Sequence, residues 1–161
     1  MSKPATKYIS VADTAKIVRE ALKQAFPGVK FTVRSKSYSG GASINLGWTD
    51  GPTEYEVSQV AGKFQGASFD GMIDLKSYHD AEWNGERVHF GADYIFTSRG
   101  YSADFLRRRA ESVAQYWGQP VPAIIEHPTG YVEIAENHVR IHDHFTLADL
   151  IMQKARRTRS V

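Results

Sequence analysis

Residues 29–48, VKFTVRSKSYSGGASINLGW, alternate apolar and polar on both sides of a glycine pair. Val29, Phe31 and Val33 fall on one side of the first arm, Lys30, Thr32 and Arg34 on the other. In the second arm Ala42, Ile44, Leu46 and Trp48 alternate with Ser43, Asn45 and Gly47. A period of two with one apolar side is the pattern of a half-buried strand. Tyr38-Ser39-Gly40-Gly41 supplies the turn residues. The segment therefore predicts an antiparallel hairpin, and the rest of the fold must cover its apolar face.

Helical patterns flank the hairpin. Ser10 with Asp13 opens a run carrying Ile17, Val18, Ala21, Leu22, Ala25 and Phe26, closed by Pro27-Gly28. Asp50-Gly51-Pro52 leads into a stripe of Tyr55, Val57, Val60, Ala61 and Phe64. The first half thus reads helix, strand, strand, helix. Residues 66–86 have no clean period and read as a long loop with a short strand at Met72-Ile73. Val88, Phe90, Ala92, Tyr94 and Phe96 predict one continuous strand. Ser102 caps a third helix through Phe105, Leu106, Ala110, Val113, Ala114 and Trp117. Ala123–Ile125 and Tyr131–Ala135 read as paired strands, with Val139-Arg140-Ile141 continuing their ladder. Thr146 and Asp149 form a second capping signal, for a C-terminal helix that frays into a basic tail at 154–161. This order predicts an α+β fold, an antiparallel sheet with helices on one face. The 161 residues are expected to form a single domain.

Composition removes whole classes of function. With 42% hydrophobic and 12% aromatic residues the chain can bury a core, so it is not disordered. No apolar run is long enough to cross a membrane, and MSKPATKYISVADTAK holds no secretory h-region. Zero cysteines exclude disulfides, thiolate metal sites and a thiol nucleophile. The expected location is the cytoplasm. The net charge of +2 hides a segregation: residues 1–48 carry +6, 49–100 carry −5 and 101–161 carry +1. Such a chain can present separate basic and acidic surfaces.

Catalytic patterns are sparse. There is no G-x-S-x-G elbow, and Ser39-Gly40-Gly41 is followed by a strand and no Lys-Ser/Thr, so it is not a phosphate loop. Asp70 and Asp74 are paired carboxylates in an irregular segment without a visible pocket. His138, His142 and His144, with Asp143, offer nitrogen and oxygen ligands for a metal, but their spacing matches no standard signature. No cofactor is assigned. The cations are the better candidates. Lys30, Arg34 and Lys36 share the outward side of the first strand; Arg107 and Arg108 lie on the third helix; Lys154, Arg156 and Arg157 stand in the tail. Clustered cations suit phosphates, although a pI near 8.8 is below that of most dedicated nucleic-acid domains.

Residues 8–75 resemble large polyvalent protein-associated domain 29, through the pieces AFPGVKFTVRS, SGGASINLGWTDGP and GASFDGMIDL. The resemblance implies a phage, plasmid or other mobile-element setting and a counter-defence role. It implies no enzyme activity and carries no catalytic residue. A non-enzymatic binding protein is the first expectation, an anti-CRISPR-type inhibitor of a host defence protein or nucleoprotein complex. The alternatives are a nucleic-acid-binding accessory for incoming DNA and a metal-dependent enzyme built on His138, His142 and His144. No membrane partner is expected.

Overall fold

The structure, a computed structural model, describes residues 4–135, 138–142 and 144–160. Among them are four α-helices and twelve short strands, an α+β fold. The chain divides into two compact units, crossing between them at Trp48–Thr49, Thr53–Glu54 and Ser98–Arg99.

The first unit comprises residues 1–48 and 54–98. Its elements are β1 (Lys7–Ile9), α1 (Val11–Ala25), β2 (Thr32–Tyr38), β3 (Gly41–Thr49), α2 (Glu54–Ala61), β4 (Ala67–Asp70), β5 (Leu75–Tyr78), β6 (Ala81–Trp83), β7 (Glu86–Phe90) and β8 (Tyr94–Gly100), whose last residues enter the other unit, as does Thr49. Ser10 caps α1 as expected, its hydroxyl accepting from the Asp13 amide at 3.1 Å. β2 and β3 form the predicted hairpin, with Val33 opposite Leu46, Arg34 opposite Asn45 and Lys36 opposite Ser43. β8 completes a sheet of order β2-β3-β8. A second sheet, β1-β7-β6, contains a parallel pair, β1 with β7. The core lies between the helices and one face of these sheets. It gathers Val18, Leu22, Ile44, Leu46, Trp48, Val57, Phe64, Val88 and Phe90. The rings of Phe64, Trp83 and Phe90 meet edge to face.

Two expectations fail in this unit. Residues 66–86 are not a loop with a strand at Met72-Ile73. They form strands β4 and β5 joined by a turn at Met72-Ile73, followed by β6. The Asp70 carboxylate accepts the Met72 amide at 2.9 Å, and Asp74 adopts a positive φ of 50°, which fixes the turn. The strand expected over residues 88–96 is broken in two. A side chain at Gly91 would sit 2.8 Å from the Ile9 carbonyl oxygen, so the backbone there is pressed against β1. Beyond it Ala92 and Asp93 leave the ladder, Asp93 donating its amide to the Ala42 carbonyl at 2.9 Å. The alternation then restarts on the opposite face. Ile95 packs against the core, while Phe96 is 54% exposed.

The second unit holds residues 49–53 and 99–161. Its elements are α3 (Ala103–Trp117), β9 (Ile124–Glu126), β10 (Val132–Ile134), β11 (Arg140–His142), β12 (Phe145–Thr146) and α4 (Leu147–Arg157). β9 and β10 pair antiparallel as expected. β11 does not continue their ladder; it pairs with β12 in a separate two-stranded sheet. Thr146 and Asp149 form the capping box at the start of α4. The basic tail is not frayed from residue 154: α4 runs to Arg157, because Lys154, Arg156 and Arg157 sit favourably at its negative C-terminal end. The apolar clusters are small: Ala110, Val113, Ile134, Leu147 and Ile151 in one, Phe105, Leu106 and Ala155 in the other.

Arg99 organises this unit. Its side chain is buried and donates to the carbonyls of Asp50 (2.8 Å), Gly51 (3.0 Å), Ala155 (3.2 Å) and Thr158 (2.8 Å). Its guanidinium also stands 5.1 Å from the Tyr101 ring centre and 5.4 Å from that of Phe105. Asp50 accepts from both the amide and the hydroxyl of Ser102, the cap of α3.

Candidate functional site

The outer face of the sheet β2-β3-β8 follows from the pleat. Ile44, Leu46, Trp48 and Ile95 point to the core, so their neighbours point away. On β2 these are Thr32, Arg34, Lys36 and Tyr38; on β3, Gly41, Ser43, Asn45 and Gly47; on β8, Tyr94, Phe96 and Ser98. Arg34 and Lys36 are exposed, and among the described residues neither has an ion pair. The Tyr94 and Phe96 rings lie 6.0 Å apart with planes 28° from parallel. Between cations and aromatics runs a central strand of small outward residues.

Lys76 closes one end of this face. Its ammonium is 2.7 Å from the Asp93 carboxylate, 3.2 Å from the Gly40 carbonyl, and stands over the rings of Tyr78 (5.0 Å) and Tyr94 (5.6 Å). The Asp93 hydrogen bond raises the Lys76 pKa above its ordinary value, against a smaller opposing effect of burial. Asp93 is itself buried and also accepts the Ala42 amide at 3.4 Å. This cation is held by a carboxylate; among the described residues those on β2 are not.

The remaining expected residues are dispersed. Lys30 is exposed just before β2. In the second unit Arg107 is paired with Asp104 at 2.8 Å and Arg108 is exposed. Lys154 and Arg157 line a groove between α3 and α4 with Tyr116 and Trp117, while Arg156 is exposed near the end of α4. His138 and His144 are exposed in turns. His142 packs its ring 5.1 Å from Phe145 and 6.0 Å from Trp117. Asp143 lies outside the described residues. Among the described residues no three histidines or carboxylates converge as a metal-binding group. Sequence reasoning missed Tyr94, Phe96 and Lys76. It also missed a hydrogen bond of 2.7 Å between Ser68 Oγ and His79 Nε2, a solvent-exposed pair that lacks, among the described residues, the acid that orients a base.

A different surface projects from β4 and β5. Phe69, Ile73 and Leu75 are exposed there and Met72 is 95% exposed, beside Asp70 and Asp74. Residues 9–102 match large polyvalent protein associated domain 29, more than half of the chain. The chain belongs to this family. The domain 29 match extends beyond the run 8–75 to Ser102, so it takes in all three strands of the sheet and the projecting hairpin. Domain 29 gives the protein a mobile-element association. No curated protein and no solved structure matches the chain. No helix among the described residues is long and apolar enough to cross a membrane.

Proposed function

We propose that this domain 29 protein is a nucleic-acid-binding accessory of a mobile element, acting through the outer face of β2-β3-β8. The observation that carries the reading is the pairing of two exposed cations, Arg34 and Lys36, neither in an ion pair among the described residues, with exposed Phe96 and half-buried Tyr94 on one sheet face. Cations held by internal carboxylates have little attraction left for a phosphate, and no carboxylate among the described residues holds these two. The expected effect of Arg34→Glu with Lys36→Glu is loss of binding to a fluorescent DNA fragment in 50 mM salt. Lys154→Glu with Arg157→Glu changes the net charge equally and leaves that binding largely intact. Equal loss in both variants reduces the interaction to net charge and rejects the face.

The projecting hairpin favours a second reading, the counter-defence one. Exposed Phe69, Met72, Ile73 and Leu75 flanked by Asp70 and Asp74 suit an apolar groove with a basic rim, such as one that binds nucleic acid in a host defence complex. In a defence-proficient host, Phe69→Ser with Met72→Ser then abolishes protection of incoming DNA, and the Arg34/Lys36 reversal does not. The opposite pattern rejects this reading.

A further inference from the structure

Resting on the nucleic-acid reading above, we infer that the outer face of β2-β3-β8 takes a single strand, stacking an unpaired base on the exposed Phe96 ring, which Tyr94 backs, while Arg34 and Lys36 hold the phosphates. The face is asymmetric, and the asymmetry selects the ligand. Arg34 and Lys36 stand on β2, where Tyr38 ends the row, and Tyr94 and Phe96 on β8, with β3 between them, so the two rows run roughly 10 Å apart, two strand spacings. A single strand is asymmetric in the same way, phosphates along one edge and exposed base faces along the other. A duplex offers phosphates on both edges and hides its base faces, so the aromatic row gains nothing from it.

The central strand puts only short side chains between the rows. Its outward residues are Gly41, Ser43, Asn45 and Gly47, none longer than an asparagine. At Gly47 a Cβ would lie 2.6 Å from the Thr32 hydroxyl oxygen, so the strand has no room for a side chain there. Ser43 is buried, and Asn45 is the exposed amide of the row, with donors and an acceptor for a base edge. The exposed Phe96 ring stacks on that of the half-buried Tyr94, 6.0 Å apart and inclined by 28°, and is the platform of the row. Lys76, fixed by Asp93 over the Tyr94 ring, adds positive potential at the end of the aromatic row.

The test is fluorescence anisotropy of the full chain with a 12-nucleotide oligo-dT, the matching oligo-rU and a 12-base-pair duplex, at several salt concentrations. Both single strands are expected to bind more tightly than the duplex, and the tighter of the two names the natural source. Phe96→Leu keeps an apolar side chain at an exposed position and should weaken single-strand binding roughly 5- to 100-fold, the loss of one stacked base. It should leave duplex binding unchanged. Arg34→Gln with Lys36→Gln should flatten the single-strand salt dependence by about 1.4 in log–log slope, two phosphates lost. Circular dichroism melts matching the parent show that each variant is folded. Duplex bound as tightly as single strand, with Phe96→Leu at parental affinity, overturns the stacking inference and leaves the nucleic-acid reading standing. Absence of binding to all three probes overturns both.

Discussion

Arg34 and Arg99 carry the same guanidinium in the two units of one chain. Arg99 is enclosed, with four main-chain carbonyls around it and two aromatic rings alongside. Arg34 stands on an open strand face with no ion pair among the described residues. The units around them differ accordingly. The first is held by one broad apolar core of helix, sheet and ring packing. The second has two small apolar clusters and closes its segments with a polar clamp. The contrast teaches where to look for function: a cation that completes a fold is unavailable to a partner, and a cation the fold does not need is free for one.

The largest expected effect tests the apolar half of this contrast. Trp48 is buried, with its ring 5.5 Å from that of Phe31, so Trp48→Ala should cost about 4 kcal/mol in chemical denaturation. Hydrogen exchange should rise first in β2 and β3. Parental stability in this variant would show that the first unit does not depend on its core. Arg99→Leu comes next. It takes a donor from four carbonyls, of which Gly51 keeps the Ser160 amide and Ala155 the Thr158 amide, and should cost about 3 kcal/mol, with exchange rising in the last turn of α4. If exchange rises nowhere in residues 99–160, the polar clamp is ornamental and the contrast collapses.

Smaller effects sharpen the picture. Thr146→Ala removes the cap of α4 and should cost about 1 kcal/mol at neutral pH. The Thr146 amide, then its hydroxyl, holds the Asp149 carboxyl below the usual carboxylate range. A depressed folded pKa gives stability that is complete above the ordinary value of about 4 and is lost as pH falls through the folded one. The difference in Tm between parent and Thr146→Ala should therefore shrink in acid, and a constant difference from pH 7 to pH 2 would detach Asp149 from the cap. Least of all, Arg34→Glu with Lys36→Glu should move stability by no more than about 0.5 kcal/mol. A larger loss would make these cations structural after all.

How much of this was legible in the sequence depended on the length of each signal. Caps at Ser10, Ser102 and Thr146 are local, set by one side chain and an amide three residues on, and all three stand as read. The hairpin β2–β3 was legible because its apolar side spans many residues. Strands β4, β5 and β6 have three or four residues each, too few to display a period. The turn at Asn84-Gly85, both at positive φ, was written plainly as an Asn-Gly pair between β6 and β7, yet was submerged in a run without rhythm. Tyr94 and Phe96 were hidden by continuity of pattern, since their alternation follows that of Val88 and Phe90 with no change of phase. Only the close approach at Gly91, a tertiary fact, turns them outward. Arg99 had no sequence signature at all, because its partners are main-chain atoms that every residue type possesses.

That last property bears on how the molecule is made. The clamp reaches from Arg99 back 48 and 49 positions to Gly51 and Asp50, and forward 56 and 59 positions to Ala155 and Thr158. During synthesis every residue of the first unit has been added once Ser98 is in place. The second unit cannot close its clamp until residue 158 has been added and has cleared the ribosome, and the Ser160 amide then adds its own bond to the Gly51 carbonyl. A nascent chain arrested a few codons early thus carries a complete sheet face and an Arg99 still waiting for its last acceptor.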